Sequence, residues 1–304
     1  MSSASKSYKE TTVALSAEQT SRPKASSQPG LFGTRPRNRV RLAIAVALAL
    51  LSLGPLLYMF MLSFQSNGYI QGNTVLVPSH PTTGNYVQAW TENSFSHYFV
   101  NSLFVALATV VITVSLASLA AFAFARYKFA GRELIFYTFL ASLAIPNVLL
   151  LIPQYLLMDR LHLLDSLVGL VLLYVSSNLP FMIFFLRGFF AAIPREYEEA
   201  FRLDGAGTLR VVIRLIAPLS LPALALVSMF TFSAAWDEFP LALTMLNTPS
   251  HFTLPIGLAD FIGEHTTAWG PFFAASVIAT VPVVVVFLVT QRWSRRGVSL
   301  GGLR

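Results

Sequence analysis

Six stretches of this chain are each long and apolar enough to cross a lipid bilayer as a helix: residues 42–64, 99–124, 134–158, 166–186, 219–245 and 271–290. A hydrocarbon core of about 30 Å takes about 20 apolar residues of helix. Within it only helices and closed barrels satisfy their own backbone groups. Continuous apolar runs of this length select helices, so the expected fold class is an all-α membrane protein with six transmembrane helices. Composition agrees: of 304 residues, 55% are hydrophobic and 12% charged, against about 25% charged in soluble domains. The third stretch is the least regular, because Pro146 and Pro153 remove backbone donors inside it and neighbouring helices must make good the loss.

The basic residues alternate with these stretches. Residues before the first carry Lys6, Lys9, Arg22, Lys24, Arg35, Arg37, Arg39 and Arg41; the second-to-third connection carries Arg126, Lys128 and Arg132. The fourth-to-fifth carries Arg187, Arg195, Arg202, Arg210 and Arg214, and the C-terminal end Arg292, Arg295, Arg296 and Arg304. That is 20 of the 21 Lys and Arg residues; Arg160 alone falls in the other connections. The positive-inside rule therefore puts both termini and the 187–218 connection in the cytoplasm. The same placement accounts for the net charge of +7 without nucleic acid. Residues 1–38, rich in Ser, Thr, Lys, Gln and Pro, are expected to be a disordered cytoplasmic tail, leaving 39–304 as the membrane domain. The first apolar run is too long for a signal-peptide core of 7–15 residues, so a retained helix is expected.

Motifs for chemistry are missing. No Gly-x-x-x-x-Gly-Lys-Ser/Thr phosphate cradle occurs. His80, His97, His162, His251 and His265 are not paired at metal-ligand spacing, and the chain has no cysteine. It reads as a transport component and not an enzyme, with no metal site or cofactor of its own. Energy for active transport would come from another chain or an ion gradient.

The 191–218 connection is the most informative of the polar segments. Pro194 suits a first helical position. Glu196, Glu198 and Glu199 follow, and acidic residues near a helix N-terminus are favourable by about 0.3–1 kcal/mol each. Tyr197, Ala200 and Phe201 share a face at spacing i, i+3, i+4. Asp204-Gly205 stops the helix, since Gly adopts the left-handed conformation of a C-terminus. A second helix over 208–216 would put Leu209, Val212, Ile213 and Ile216 on one face and Arg210 and Arg214 on another, with Pro218 ending it. Periodicity alone allows either an amphipathic elbow covering its own helix ends or a handle for a partner.

The spacing Glu199-Ala200, Asp204-Gly205-Ala206, Pro218 and Pro222 resembles the "EAA" loop of bacterial ABC importer permeases. Other stretches, in order, are similar to the carbohydrate-type, maltose-transporter-like members: Asn101-Ser102-Leu103, Ala121 through Tyr127, Ile145-Pro146 to Ile152-Pro153, Leu179-Pro180-Phe181 to Ile193-Pro194, Trp236-Asp237-Glu238-Phe239, and Trp269-Gly270 with Ala274-Ala275-Ser276. The match covers all but the first 38 residues. It departs at Phe201, where the family has the second Ala of its motif, and at Ala217, where it has Leu. The resemblance implies the type I importer permease fold, an inner-membrane subunit that imports a mono-, di- or oligosaccharide by alternating access. Implied partners are a second permease subunit, two ATPase subunits that bind Mg-ATP, and a periplasmic or extracellular binding protein touching the 246–270 connection. Glu198, Glu199, Ala200, Phe201, Asp204 and Gly205 would form the coupling helix docked on the ATPase.

Polar residues inside the spans are candidates for the solute path: Asn147, Ser177, Asn178, Thr231, Ser233, Trp236, Asp237 and Glu238, with Gln154, Ser176 and Ser228 beside them. Polar groups in spans line cavities or bind helices together, and spacing does not separate the two. Asp237 and Glu238 lie about 18 residues past the basic end of their span, about 27 Å at 1.5 Å per residue, close to the outer interface. Rival readings are a permease of the same class for glycerol phosphate, a polyamine or an ion; a secondary carrier, which calls for inverted repeats or a midplane carboxylate; and a membrane scaffold. A phosphorylated solute would call for a basic residue within a span, and this chain has none there.

Overall fold

The computed structural model describes residues 37–72, 81–91, 94–263 and 267–298. Most of the expected tail, and His80 and His265, lie outside the described residues. The regular structure in these segments is helical, joined by turns and short connections, apart from an isolated bridge between Ile262 and Thr267. The helices are α1 Arg37–Leu62, α2 Asn67–Gly72, α3 Gly84–Thr91, α4 Phe95–Arg126, α5 Arg132–Ser142, α6 Leu151–Arg160, α7 Leu167–Ala191, α8 Glu196–Leu203, α9 Thr208–Leu219, α10 Leu221–Trp236, α11 Pro240–Met245, α12 Leu254–Asp260 and α13 Trp269–Val298.

Four are long and apolar enough to cross a membrane: α1, α4, α7 and α13. The third and fifth spans are not continuous helices. α5 and the stretch Asn147–Arg160 meet at a bend of 97°. The break has a local cause. Pro146 has no N–H and disfavours helical backbone at Ile145. Leu143, Ala144 and Ile145 instead donate to the carbonyls of Leu140, Ala141 and Ser142, three residues back. Chain direction changes while these donors stay paired. Pro153, the third residue of α6, is harmless, because first-turn N–H groups have no helical partner. The fifth span, expected over 219–245, begins after an 88° bend between α9 and α10 and stops at Trp236, with α11 as a separate short helix. Counting each bent pair as one span gives six.

The centre is α4, packed along α7 and α10. Ala106, Thr109, Thr113, Ala117 and Ala121 have no exposed surface and recur every three or four residues, so one face of α4 is a stripe of small side chains. Such stripes let helix backbones approach where lipid removes the hydrophobic incentive to associate. Two apolar clusters flank the stripe. One gathers Phe95, Leu170, Tyr174, Phe232, Trp236 and Leu241; the other Phe122, Phe124, Leu186, Phe190, Val211 and Ile216.

Hydrogen bonds confirm that the connections sort into two ends. Asn85 donates to the Ser63 and Gln65 carbonyls at 2.8 and 2.6 Å, Asn67 accepts from the Trp269 amide at 2.9 Å, and Asn101 donates to the Ser250 and Phe252 carbonyls, both at 2.9 Å. The first-to-second and fifth-to-sixth connections thus meet. At the opposite end Arg187 bonds Glu133 at 3.0 Å and Tyr127 bonds Thr208 at 3.0 Å, joining the two Arg-rich connections. We call these the neutral and basic ends.

Gly169, in the first turn of α7, is where the 161–166 turn passes closest: a Cβ there would lie 2.2 Å from the Leu163 carbonyl oxygen. A backbone atom cannot swing aside as a side chain can. Gly169→Ala is therefore expected to destabilise the protein by about 1–3 kcal/mol through overpacking, seen as a lower Tm in detergent.

Candidate functional site

The basic end carries the first candidate site. α8 has Glu196, Glu198 and Glu199 in its first turn, with Pro194 just ahead of it and not within it. It closes on Gly205 at φ +78°. The Ala206 amide donates to the Phe201 carbonyl at 3.3 Å and the Gly205 amide to the Arg202 carbonyl at 3.0 Å. This is the Schellman pattern, which needs the left-handed residue that Gly supplies and brings an apolar pair together across the turn. Here the pair is Phe201 and Ala206, both packed in the basic-end cluster.

The expected coupling residues therefore divide. Glu199, Ala200 and Asp204 are exposed, as are Tyr197 and Leu203, the latter at 89%. Phe201 turns inward, because it is the apolar half of the cap. Glu198 also turns inward: it forms an ion pair with Arg126, and the two side chains are only 8% and 7% exposed. Arg126 further donates to the Ile193 carbonyl at 2.8 Å. Leu203, rather than Phe201, is the large apolar side chain on the outer surface. Leu203 continues the three-residue spacing of Tyr197 and Ala200, whereas the i, i+3, i+4 spacing points to Phe201.

α9 has a turn of π-helix over Val212–Ile216, a widening that shifts the face presented. Val211, Val212 and Ile216 are buried while Leu209 and Ile213 are exposed. The expected apolar face of Leu209, Val212, Ile213 and Ile216 is thus rotated. The Thr208 hydroxyl bonded to Tyr127 holds that phenol below its usual pKa, against a smaller opposing effect of burial.

The second candidate is a cavity of about 280 Å³ at the break in the third span. Asn147, Leu151 and Gln154 line it from the broken span, Tyr174, Ser177 and Asn178 from α7, and Glu238 and Leu241 from the start of α11. Of the expected path residues it unites Asn147, Ser177, Asn178 and Glu238. Gln154 joins them, and Tyr174 had not been singled out because an aromatic in an apolar run reads as core. Asn178 donates to the Tyr174 carbonyl at 2.8 Å. Among the described residues the side chains of Asn147, Gln154 and Ser177 have no protein hydrogen-bond partner.

The Glu238 carboxylate is already occupied. It accepts from the Tyr174 hydroxyl at 2.8 Å and from the Leu241 and Ala242 amides at 2.9 and 3.1 Å. It caps α11, satisfying donors that a helix start leaves open. Thr231 and Trp236 are not on the wall. Thr231 is fully buried, and the Trp236 ring stacks on Phe232 at 5.5 Å while its N–H donates to Ala279 at 3.1 Å. Ser233 and Asp237 also lie off the wall, where the Asp237 amide donates to the Ser233 carbonyl at 3.1 Å, and Asp237 is exposed. Ser176 and Ser228 bond carbonyls of their own helices, Leu173 and Leu224, both at 2.8 Å. No cluster of three metal-ligating side chains occurs among the described residues.

At the neutral end Asp165 clips the 246–253 segment. It accepts from the Asn247 and Thr248 amides at 2.9 and 3.0 Å, from the Thr248 hydroxyl, and faces His251 at 3.3 Å.

Residues 113–299 match the family described as binding-protein-dependent transport system inner membrane component. The chain is 34% identical over 252 residues to the diacetylchitobiose uptake system permease protein NgcG of Streptomyces coelicolor, covering 82% of this chain and 83% of that one. It is 33% identical over 259 residues to the trehalose/maltose transport system permease protein MalG of Thermococcus litoralis, covering 84% and 93%. The crystal structure of a bacterial ABC transporter involved in the import of the acidic polysaccharide alginate superposes with a TM-score of 0.75 at 23% identity, covering 88% of this chain and 99% of that one. The fold is that of an ABC importer permease, and the chain belongs to the binding-protein-dependent permease family.

Burial alone would raise the Asp165 carboxyl, but the Thr248 hydroxyl and the Thr248 and Asn247 amides outweigh it and hold the carboxyl well below its ordinary range. A lowered folded value means the clip is complete above the ordinary carboxylate pKa near 4 and is lost only as pH falls through the lower folded value. Amide exchange at 247–248, corrected for intrinsic rate, should therefore be equally slow at pH 7 and pH 5. Asp165→Asn should speed it about 10-fold or more at both, since each charge-assisted bond is worth about 1.5–3 kcal/mol.

Proposed function

We propose that this chain is the permease subunit of a sugar importer of the bacterial cytoplasmic membrane, translocating its solute by alternating access. The observation that carries the reading is the cavity at the third-span break. Its wall offers the free amides of Asn147 and Gln154 and the hydroxyl of Ser177, and no lining residue is cationic. A solute rich in hydroxyls finds matching neutral partners there; a phosphorylated one finds no counter-charge. The relatives named for diacetylchitobiose and trehalose/maltose support the same substrate class.

ATP hydrolysis then belongs to a separate subunit, with Mg-ATP bound there. α8 is the docking element, offering Tyr197, Glu199, Ala200, Leu203 and Asp204 to a groove on that ATPase, while Gly205 sets the turn. The basic end and both termini face the cytoplasm, where the positive-inside rule puts an Arg-rich surface. The 246–263 segment faces a solute-binding protein on the other side. The remaining partners are a second permease subunit and a second ATPase.

Purification in mild detergent should recover an ATPase, a second permease and a binding protein with this chain. Gly205→Pro would remove the capping N–H and forbid positive φ, and Glu199→Lys would reverse an exposed charge. Each should leave membrane insertion intact and lower uptake of radiolabelled maltose, trehalose or diacetylchitobiose by about 100-fold, the order of losing 2–3 kcal/mol of docking energy. Full uptake by both variants would remove α8 as the docking element.

A further inference from the structure

Among the described residues, every side-chain bond between the coupling segment and the bundle starts from two adjacent residues at the end of α4. Arg126 pairs with Glu198 and donates to the Ile193 carbonyl. Tyr127 bonds Thr208. The apolar contacts of the segment, through Phe201, Ala206, Val211 and Ile216, resist its lifting off but are non-directional, so they leave α8 free to rotate or slide on them. A buried guanidinium paired with the Glu198 carboxylate and bonded to the Ile193 carbonyl, on either side of Pro194, does not. Arg126 thus ties the chain on both sides of the start of α8 to one point on α4, the helix on which α7 and α10 pack.

We infer that Arg126 and Glu198 form a positioning pair, the strut through which a movement of α8 is passed to α4 and so to the cavity wall. The inference rests on the reading of α8 as the ATPase-docking element and names how the docked motion enters the bundle. Glu198 does this from the inner side of α8, away from the exposed face of Tyr197, Glu199, Ala200 and Leu203. Tyr127, beside the pair, is acted on by both Arg202 and Glu198. Arg126 and Glu198 are matched in charge, and removing one alone would leave the other buried and unpaired. Replacing both with apolar side chains of similar length avoids that penalty, so Arg126→Met/Glu198→Met separates transmission from folding.

The chain lacks cysteine, which makes the test direct. Ser177→Cys on the cavity wall is reacted with an impermeant maleimide in the purified transporter complex, with and without vanadate-trapped MgATP. In the parent the labelling rate should change on trapping by about 10-fold, a coupling within the ordinary range. In the Arg126→Met/Glu198→Met background the ATPase should remain bound and hydrolyse ATP, and the change in labelling should shrink below about 2-fold, outside that range. An undiminished change overturns the strut. Loss of the ATPase from an inserted double variant overturns it too, because the pair would then serve docking. Should that variant not insert, Arg126→Lys takes its place: one ammonium keeps the charge but not the planar fork that serves two fixed acceptors. A response equal to the parent's overturns the inference. A parent complex without an ATPase, or one unresponsive to MgATP, overturns the coupling reading itself.

Discussion

A backbone crossing hydrocarbon must satisfy its own hydrogen bonds, and the features of interest here follow from where this chain stops doing so as a regular helix. Irregular backbone at membrane depth is tolerated only where protein or a polar cavity covers it. The chain turns through 97° around Pro146 and 88° around Ser220. Both bends have local relief. Leu143, Ala144 and Ile145 retreat to shorter-range bonds, and Ser220 donates back to Ile216 and Ala217. The first bend opens onto the cavity whose wall begins at Asn147. The second joins α9 to α10. Thus one interruption opens onto the cavity, and the other is where the coupling segment enters the bundle.

Much of this organisation was legible in the chain, and the limits have physical causes. Lengths of apolar runs mark six crossings because bilayer thickness is a single number. The alternation of Arg and Lys sorts the connections into two ends because charge is costly to translocate. The motif order from Asn101 to Ser276 identified the family. What escaped was direction. In α10 nearly every residue is apolar, so no periodicity tells that Thr231 and Trp236 face inward while Glu238 reaches the cavity. Glu238, a candidate solute contact, lies on the cavity wall with its carboxylate bonded to Tyr174 and two amides, partners that meet only in the folded bundle. In α8, Phe201 looked like the apolar knob. The Schellman turn requires an apolar residue at that position to meet Ala206, leaving Leu203 outside. A one-residue widening in α9 moved its buried face. In α8 and α9 the difference is a rotation about the helix axis; in the third and fifth spans it is a break in the axis itself.

The two ends are built from different bonds. At the neutral end the fasteners are neutral groups: Asn85 and Asn101 donate to carbonyls and Ser102 accepts from the Leu254 amide, each holding backbone of a distant segment, with Asp165 as a carboxylate clip. Such bonds are short-ranged, depend little on salt, and fix loops in a single register. At the basic end the fasteners are guanidiniums, Arg126 on Glu198 and Arg187 on Glu133. Arg187 also lies over the Phe136 ring at 3.8 Å, so its charge is balanced by a carboxylate and a π face together.

A buried ion pair is a poor source of stability, since desolvation offsets most of the attraction, whereas breaking it by removing one partner costs about 3–5 kcal/mol. Its advantage over an apolar contact is geometric. Apolar packing of Phe201 and Ile216 is non-directional, whereas Arg126 must at once stay paired with Glu198 and bonded to the Ile193 carbonyl. A segment that must hold its angle under load gains more from that selectivity than from another buried methyl group. The same reasoning explains why Glu198 lies inward while its neighbour Glu199 lies outward. On one turn of helix the first fixes orientation against the bundle, and the second is left free for whatever docks from outside.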